Sequence, residues 1–217
     1  MPAKKAPRTP RTRQERADDT RGRLFLAAAE LFADEGYHAT TVEKIAQRAK
    51  VAKGTFFVHF ASKASVVVAL VRIQTDGAKS ERERVVNAGG SAVDRLRATV
   101  TTLGAQAGVN RTLSRAVLAA GLESPEVGEA TDALFREVFE LMIGDVREAQ
   151  AKGELARHPE AETLAAILMA SYLGAALSFA TSPLTSSLMT TLTPLLDAML
   201  GAPASVAKKR SNKKEKK

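Results

Sequence analysis

Residues 50–63 place three lysines, a histidine, a threonine and three phenylalanines within fourteen positions. This chemistry suits recognition more than bond-making, because cations and hydroxyls hold phosphates while small apolar groups can meet base edges. Bond-making chemistry has little to build on. The 217-residue chain contains no cysteine, which removes thiol catalysis, disulfides and cysteine metal sites. His38, His59 and His158 stand far apart, with no metal-ligand spacing and no nucleophile elbow or phosphate loop beside them. The sequence therefore predicts no enzyme, no catalytic residues, no metal and no cofactor. Asn110-Arg111-Thr112 matches a glycosylation acceptor, but no secretory signal precedes it, so a cytoplasmic protein of bacterial type is expected.

Two short helices position the cationic segment. Thr40 is placed to cap the first, with Glu43 bonding back to the cap, and Val42, Ile45, Ala46 and Ala49 fall on one stripe. Lys44, Gln47 and Arg48 are left outward. After a turn at Ala49-Lys50-Val51 the second helix starts near Ala52, with Phe56 and Phe60 turned inward. Lys53, Thr55, Val58 and His59 then form an outward face suited to a DNA groove. Upstream, residues 20–35 read as an amphipathic helix with Leu24, Ala27, Ala28, Leu31 and Phe32 on one side, and Gly36 placed to end it in a left-handed cap. Three helices of this kind make a small helix-turn-helix domain.

Charge is distributed unevenly. Residues 1–18 hold six basic and two acidic side chains, and the last ten residues hold seven and one. Residues 20–63 carry a net +3, whereas 64–207 carry −4. A positive head on a negative body is the polarity expected when one end meets DNA. Both tails lack large apolar residues and read as disordered basic arms, and Arg8, Arg11, Arg13 and Arg16 could follow the minor groove or backbone.

At this level of detail residues 20–66 resemble the N-terminal domain of the TetR family of transcriptional repressors. The ungapped match is carried by Thr20-Arg21, Leu24, Ala27-Ala28, Leu31-Phe32, Gly36-Tyr37, Thr41, Ile45-Ala46, Ala49, Val51, Lys53-Gly54-Thr55, His59-Phe60 and Ser62-Lys63. The resemblance implies that Thr55 and Val58 approach base edges, and that Gly54 lets the backbone come close. It also implies that Arg21, Thr41, Lys44, Lys53, His59 and Lys63 hold phosphates. Three positions depart from the family pattern: Lys50 replaces a glycine in the turn, Ala52 replaces a Ser or Thr cap, and Phe57 replaces a tyrosine. Lys50 could offset the strain by reaching a phosphate, and Phe57, without a phenolic hydroxyl, is left to pack against sugar.

The remainder reads as helical, with breaks at Gly89-Gly90, Gly121 to Pro125, Gly153 to Pro159, Thr181 to Pro183 and Gly201 to Pro203. A helix from Ser62 to about residue 80, with Val66, Val67, Ala69, Leu70 and Ile73 inward, links head to body. A helix near 127–152 carries two adjacent apolar rows, Leu134, Val138 and Leu141 beside Phe135, Phe139, Met142 and Val146, which implies burial on two sides. The fold class is all-α: a three-helix DNA-binding domain plus a larger helical ligand-binding and dimerisation domain. The expected boundaries are a basic arm over 1–18, the helix-turn-helix domain over 19–65, the helical body over 66–203 and a basic tail over 204–217.

Between Glu162 and Asp197 lie 34 uncharged residues, of which Thr163 to Ser182 could cross a bilayer by length. The small residues Ala170, Ser171, Gly174, Ala175 and Ser178 argue instead for close helix packing. No membrane role is expected. Helices over 163–181 and 184–200 from two chains would form a four-helix interface using Leu168, Ala170, Gly174, Leu177, Leu188, Leu192 and Leu195. A homodimer also suits palindromic double-stranded DNA. The resemblance further implies an effector pocket, for which Leu103, Phe139, Met142, Met169 and Tyr172 are candidates and an apolar small molecule is the expected ligand. Two other classes remain open: a non-specific architectural DNA protein, and a small-molecule carrier with weakened DNA binding.

Overall fold

A computed structural model describes residues 12–201, and nine α-helices make up its ordered elements, with no strand among the described residues. They are α1 Arg13–Ala39, α2 Val42–Arg48, α3 Lys53–His59, α4 Lys63–Asn87, α5 Ala92–Ala107, α6 Arg111–Glu123, α7 Pro125–Ala151, α8 Ala161–Thr181 and α9 Leu188–Leu200. Arg8 and Arg11, and the tail over 204–217, lie outside the described residues.

α1 starts earlier than its apolar pattern. Thr12 accepts from the Glu15 amide while the Glu15 carboxylate accepts from the Thr12 amide, a reciprocal cap. Arg13 and Arg16 therefore stand on the first turns of α1, which corrects the expectation of an arm running to residue 18. Leu24, Ala27, Ala28, Leu31 and Phe32 are buried as their spacing requires. Gly36 breaks the helix at φ 85°, a conformation open to glycine, and one further turn follows before α1 ends.

That break moves the next cap by one residue. The Thr40 hydroxyl donates to the Gly36 carbonyl at 2.8 Å, and Thr41 instead caps α2 by accepting from the Lys44 amide at 3.2 Å. Glu43 is correspondingly released from its expected capping role and pairs with Lys53 of α3.

α4 is longer than expected, running to Asn87, and it carries Ala64, Val66 and Val67 in the head's core. Ile73 is 55% exposed, so the expected inward stripe loses its last member. The head's core also takes in Ala116 and Ala120 of α6 and Val127 of α7. The boundary expected at residue 65 thus falls inside a continuous helix, and the two parts share packing.

The second core lies among α4, α5, α7, α8 and α9, centred on Leu96, Leu103, Met142, Leu168, Leu188 and Leu192. α7 packs against α4, α5, α6 and α8, the two-sided burial its double apolar row demanded. α9 comes so close to α5 that a Cβ on Gly104 would lie 2.6 Å from a Leu192 methyl. One ion-paired cluster ties three helices: Asp145 of α7, 1% exposed, accepts from Arg82 of α4 at 2.7 and 2.8 Å and from Arg95 of α5 at 2.7 Å. Arg111 and Arg115 of α6 cap the C-terminal end of α8, Arg115 Nε reaching the Ala180 carbonyl at 2.9 Å and Arg111 the Ser182 carbonyl at 2.6 Å. By length and composition α8 would pass for a membrane span, with a mean hydropathy of 1.7, and one side of it fills the body core.

Candidate nucleic-acid interface and ligand cavity

α2 and α3 form a compact corner. The Val51 amide donates to the Ala46 carbonyl at 3.0 Å, and Lys50 adopts φ 57°, so a lysine occupies the left-handed position of the turn. Ala52 stands at the N-cap of α3 with no side-chain bond, leaving that end to backbone packing alone. Phe56 is fully buried, and its ring contacts both Phe57 and Phe60. The 100° step of the helix consequently turns Val58, 79% exposed, and Phe57, 50% exposed, to the outside. Thr55 is half-buried beside them, and a Cβ on Gly54 would meet nothing within 4 Å, so this surface has open space in front of it.

The cations around this face differ in availability. Arg21 lies over the Phe60 ring at 5.1 Å and is otherwise exposed. Lys44 pairs with Glu35 at 2.6 Å and also reaches the Ala39 carbonyl, while Lys53 pairs with Glu43. Exposed pairs of this kind are worth about 0–1 kcal/mol, so a phosphate can displace them at little cost. Lys50 is exposed, and His59 is half-buried at the end of α3.

Lys63 is different. Its ammonium donates to the Tyr37 carbonyl at 2.6 Å and the Thr40 carbonyl at 2.9 Å, and sits 4.0 Å from the Tyr37 ring centre. Burial pushes its pKa down, against the raising effect of Glu123. Lys63 thus joins α4 to the end of α1 through two of its three N–H donors, which leaves one donor for the expected phosphate contact. Thr41, likewise, spends its hydroxyl oxygen as the α2 cap.

The head is held to the body at the same corner. His38 pairs with Glu123 at the end of α6, and Ser62 lies 3.5 Å from the Glu126 carboxylate of α7. Sequence reasoning did not find this junction, since its partners are separated by 64 positions or more.

A cavity of about 430 Å³ opens among α4, α6, α7 and α8, lined in part by Val71, Leu118, Phe135 and Tyr172. Of the five residues expected to line a pocket, Tyr172 does so. Leu103 and Met142 are fully enclosed in the body core, and Phe139 and Met169 pack against it, so these four are core residues. The cavity sits nearer the head, at the Thr131 to Phe135 turns of α7. It uses α6, which runs on through Gly121 and Leu122 to Glu123, so the break expected from Gly121 begins only at Ser124.

The expected interface residues divide in the same way. Leu168, Leu188 and Leu192 are fully buried within the protomer and are corrected to core. Ala170, Gly174, Leu177 and Leu195 face outward, joined by Ile167 and Leu173, each 42% exposed, and Leu173 and Leu177 of this set also border the cavity. The outward stripe thus keeps four of the seven expected positions and takes Ile167 and Leu173 in place of the three leucines that fill the protomer's own core.

Comparison with known proteins agrees with this geometry. Residues 24–70 match the family model described as bacterial regulatory proteins, tetR family. The HTH-type transcriptional regulator UidR of Escherichia coli strain K12 is 28% identical over 142 residues, covering 65% of this chain and 72% of UidR. SmeT, the repressor of the Stenotrophomonas maltophilia multidrug efflux pump SmeDEF, superposes with a TM-score of 0.67 at 27% identity over 83% of this chain and 89% of SmeT. SmeT is also known as a complex with triclosan. Thermus thermophilus FadR, a transcriptional repressor in complex with lauroyl-CoA, superposes with a TM-score of 0.63 at 26% identity over 85% of this chain and 97% of FadR.

Proposed function

The chain belongs to the tetR family of bacterial transcriptional regulators, DNA-binding proteins and not enzymes, and on that premise we propose that it is a repressor that binds a palindromic operator as a homodimer and is released by a small, largely apolar effector. The observation that carries the proposal is α6. Ala116 and Ala120 on one side of this helix are part of the head's core, while Leu118 and Gly121 on another line the cavity. A molecule that displaces α6 must therefore disturb the seat of α1, and with it the orientation of the head.

In this reading Thr55 and Val58 meet base edges, where a threonine or valine methyl can read thymine, and Gly54 allows close approach. Arg21, Lys44, Lys50, Lys53 and His59 hold phosphates, Thr41 contributes its backbone end of α2, and Phe57 packs against sugar. Two heads about 34–36 Å apart would meet successive turns of one groove. The outward stripe on α8 and α9, from Ile167 to Leu195, supports a second copy as its cover, since large apolar groups repeat there without a charge. SmeT with triclosan and FadR with lauroyl-CoA support a cavity of this kind as an effector site. Release requires only that the effector prefer the non-binding arrangement of the heads.

The test is a fluorescence-anisotropy titration of the protein with its own upstream DNA and with scrambled DNA of equal length at about 150 mM salt. A preference of about 10³-fold or more, with two chains per site, is expected of a specific regulator. Equal, weak binding to both would overturn the repressor reading.

A further inference from the structure

The cavity is selective in its chemistry. Tyr172 lies 3% exposed at its wall, with its ring against Phe135, and its hydroxyl makes no hydrogen bond with any described residue. The hydroxyl oxygen itself is not fully enclosed, Gln106 Oε1 being the enclosed polar atom without a partner among the described residues, so it borders open space where a partner can reach it. The two hydroxyls of neighbouring lining residues are already spent. Ser114 donates to the Ala107 and Asn110 carbonyls, and Thr131 to the Val127 carbonyl at 2.8 Å. Tyr172 is left, together with the half-buried Gln74 amide, as a lining donor for whatever fills the space.

The charge of the lining points the same way. None of the described residues that line the cavity is basic, and Asp132, exposed at its edge, is the sole charged group among them. A carboxylate or phosphate entering here would give up its hydration without gaining a cation, and would do so beside a like charge. Lining side chains such as Val71, Leu118 and Phe135 supply an apolar wall for the rest of the molecule.

Resting on the effector reading above, we propose that this cavity takes an uncharged, mostly apolar molecule carrying a hydrogen-bond acceptor such as a ketone, ester or ether oxygen, that Tyr172 donates to that oxygen, and that anionic amphiphiles are rejected. Fatty acids and acyl-CoA thioesters fall in the rejected class, which separates this chain from FadR with its lauroyl-CoA. Tyr172 holds its proton throughout the working range, because burial pushes its pKa up to about 12.

The experiment is isothermal titration of the full chain at pH 8 with three probes of one chain length: 2-decanone, sodium decanoate and decanoyl-CoA. The ketone is expected to bind at least about tenfold more tightly than either anion. Tyr172→Phe keeps the ring packing against Phe135 and is expected to weaken 2-decanone about 2- to 10-fold, the range for one neutral hydrogen bond, with the melting temperature unchanged. Asp132→Asn, at an exposed position, is expected to narrow the gap between ketone and decanoate. Decanoate or decanoyl-CoA binding as tightly as the ketone would overturn the proposal, as would equal ketone affinity in the Tyr172→Phe protein. Absence of heat with all three probes at both 15 and 35 °C, where the heat-capacity change of apolar burial must show, would remove the cavity as a binding site. The DNA titration is run without ligand, so it stands or fails separately.

Discussion

α3 puts its side chains to two opposed uses within one turn: Phe56 is buried completely while Val58 is 79% exposed. An exposed valine contributes little to folding, so its removal should register in DNA binding and not in stability. Val58→Ala is expected to reduce the preference for operator over scrambled DNA roughly fivefold, about 1 kcal/mol, with an unchanged urea midpoint; anisotropy and urea titrations check the two halves. Lys50 invites the complementary experiment. At φ 57° it holds a conformation that costs a residue with a Cβ about 1 kcal/mol. Lys50→Gly should therefore stabilise the protein by up to about 1 kcal/mol in urea unfolding, while the salt slope of DNA binding falls by about one if the lysine neutralises a phosphate. A shallower change in slope with no gain in stability would contradict this account of the turn.

At the scale of elements, the long helices are pinned by charges that only pairing makes tolerable. Asp145 accepts from Arg82 and Arg95 on two different helices while almost wholly buried. Replacing it by alanine leaves Arg82 without its carboxylate and Arg95 with Glu148 alone as acid partner, and removal of one partner from such a cluster costs about 3–5 kcal/mol. Asp145→Ala is expected to lower the unfolding free energy by that amount, measured by urea titration. The outward face of α8 behaves oppositely at Ile167, which belongs to neither core and does not line the cavity. Ile167→Glu should leave the melting temperature of dilute protein little changed or lower it only through lost association. Sedimentation should then show monomers, and operator affinity should fall; a variant that stays dimeric would move the interface elsewhere.

For the whole molecule, the decisive arrangement is that the head shares its core with α6 and α7 while the cavity lies on the other side of those helices. Stability at alkaline pH should report on the same region. The pKa of Tyr172 is raised from its ordinary value near 10 to about 12, so the unfolded chain loses this proton first as pH rises. Its contribution is complete below about pH 10 and declines between about 10 and 12. Tyr172→Phe should remove that part of the alkaline fall in urea stability, seen as a smaller slope than in the parent protein over the same interval.

The sequence by itself determined the elements whose signals are local. Helix stripes such as Leu24 to Phe32 and the buried Phe56 and Phe60 were readable because each depends on neighbours within about one or two turns, and the family resemblance added the strained turn at Lys50 and the missing cap at Ala52. The family and the all-helical fold followed from these. Tertiary structure decided everything that depends on which apolar face meets which neighbour. Leu168, Leu188 and Leu192 could have faced a second chain or their own core, and periodicity treats the two alike; packing of α5 and α9 around Gly104 turned Leu188 and Leu192 inward, and Leu168 of α8 joined the same core. Lys63 could have kept all its donors for phosphate, yet the end of α1 supplied two carbonyls at bonding distance. The cavity shifted from Leu103 and Met142 towards the head for the same reason: a void is what packing leaves over, and no local run of residues encodes where four helices fail to meet.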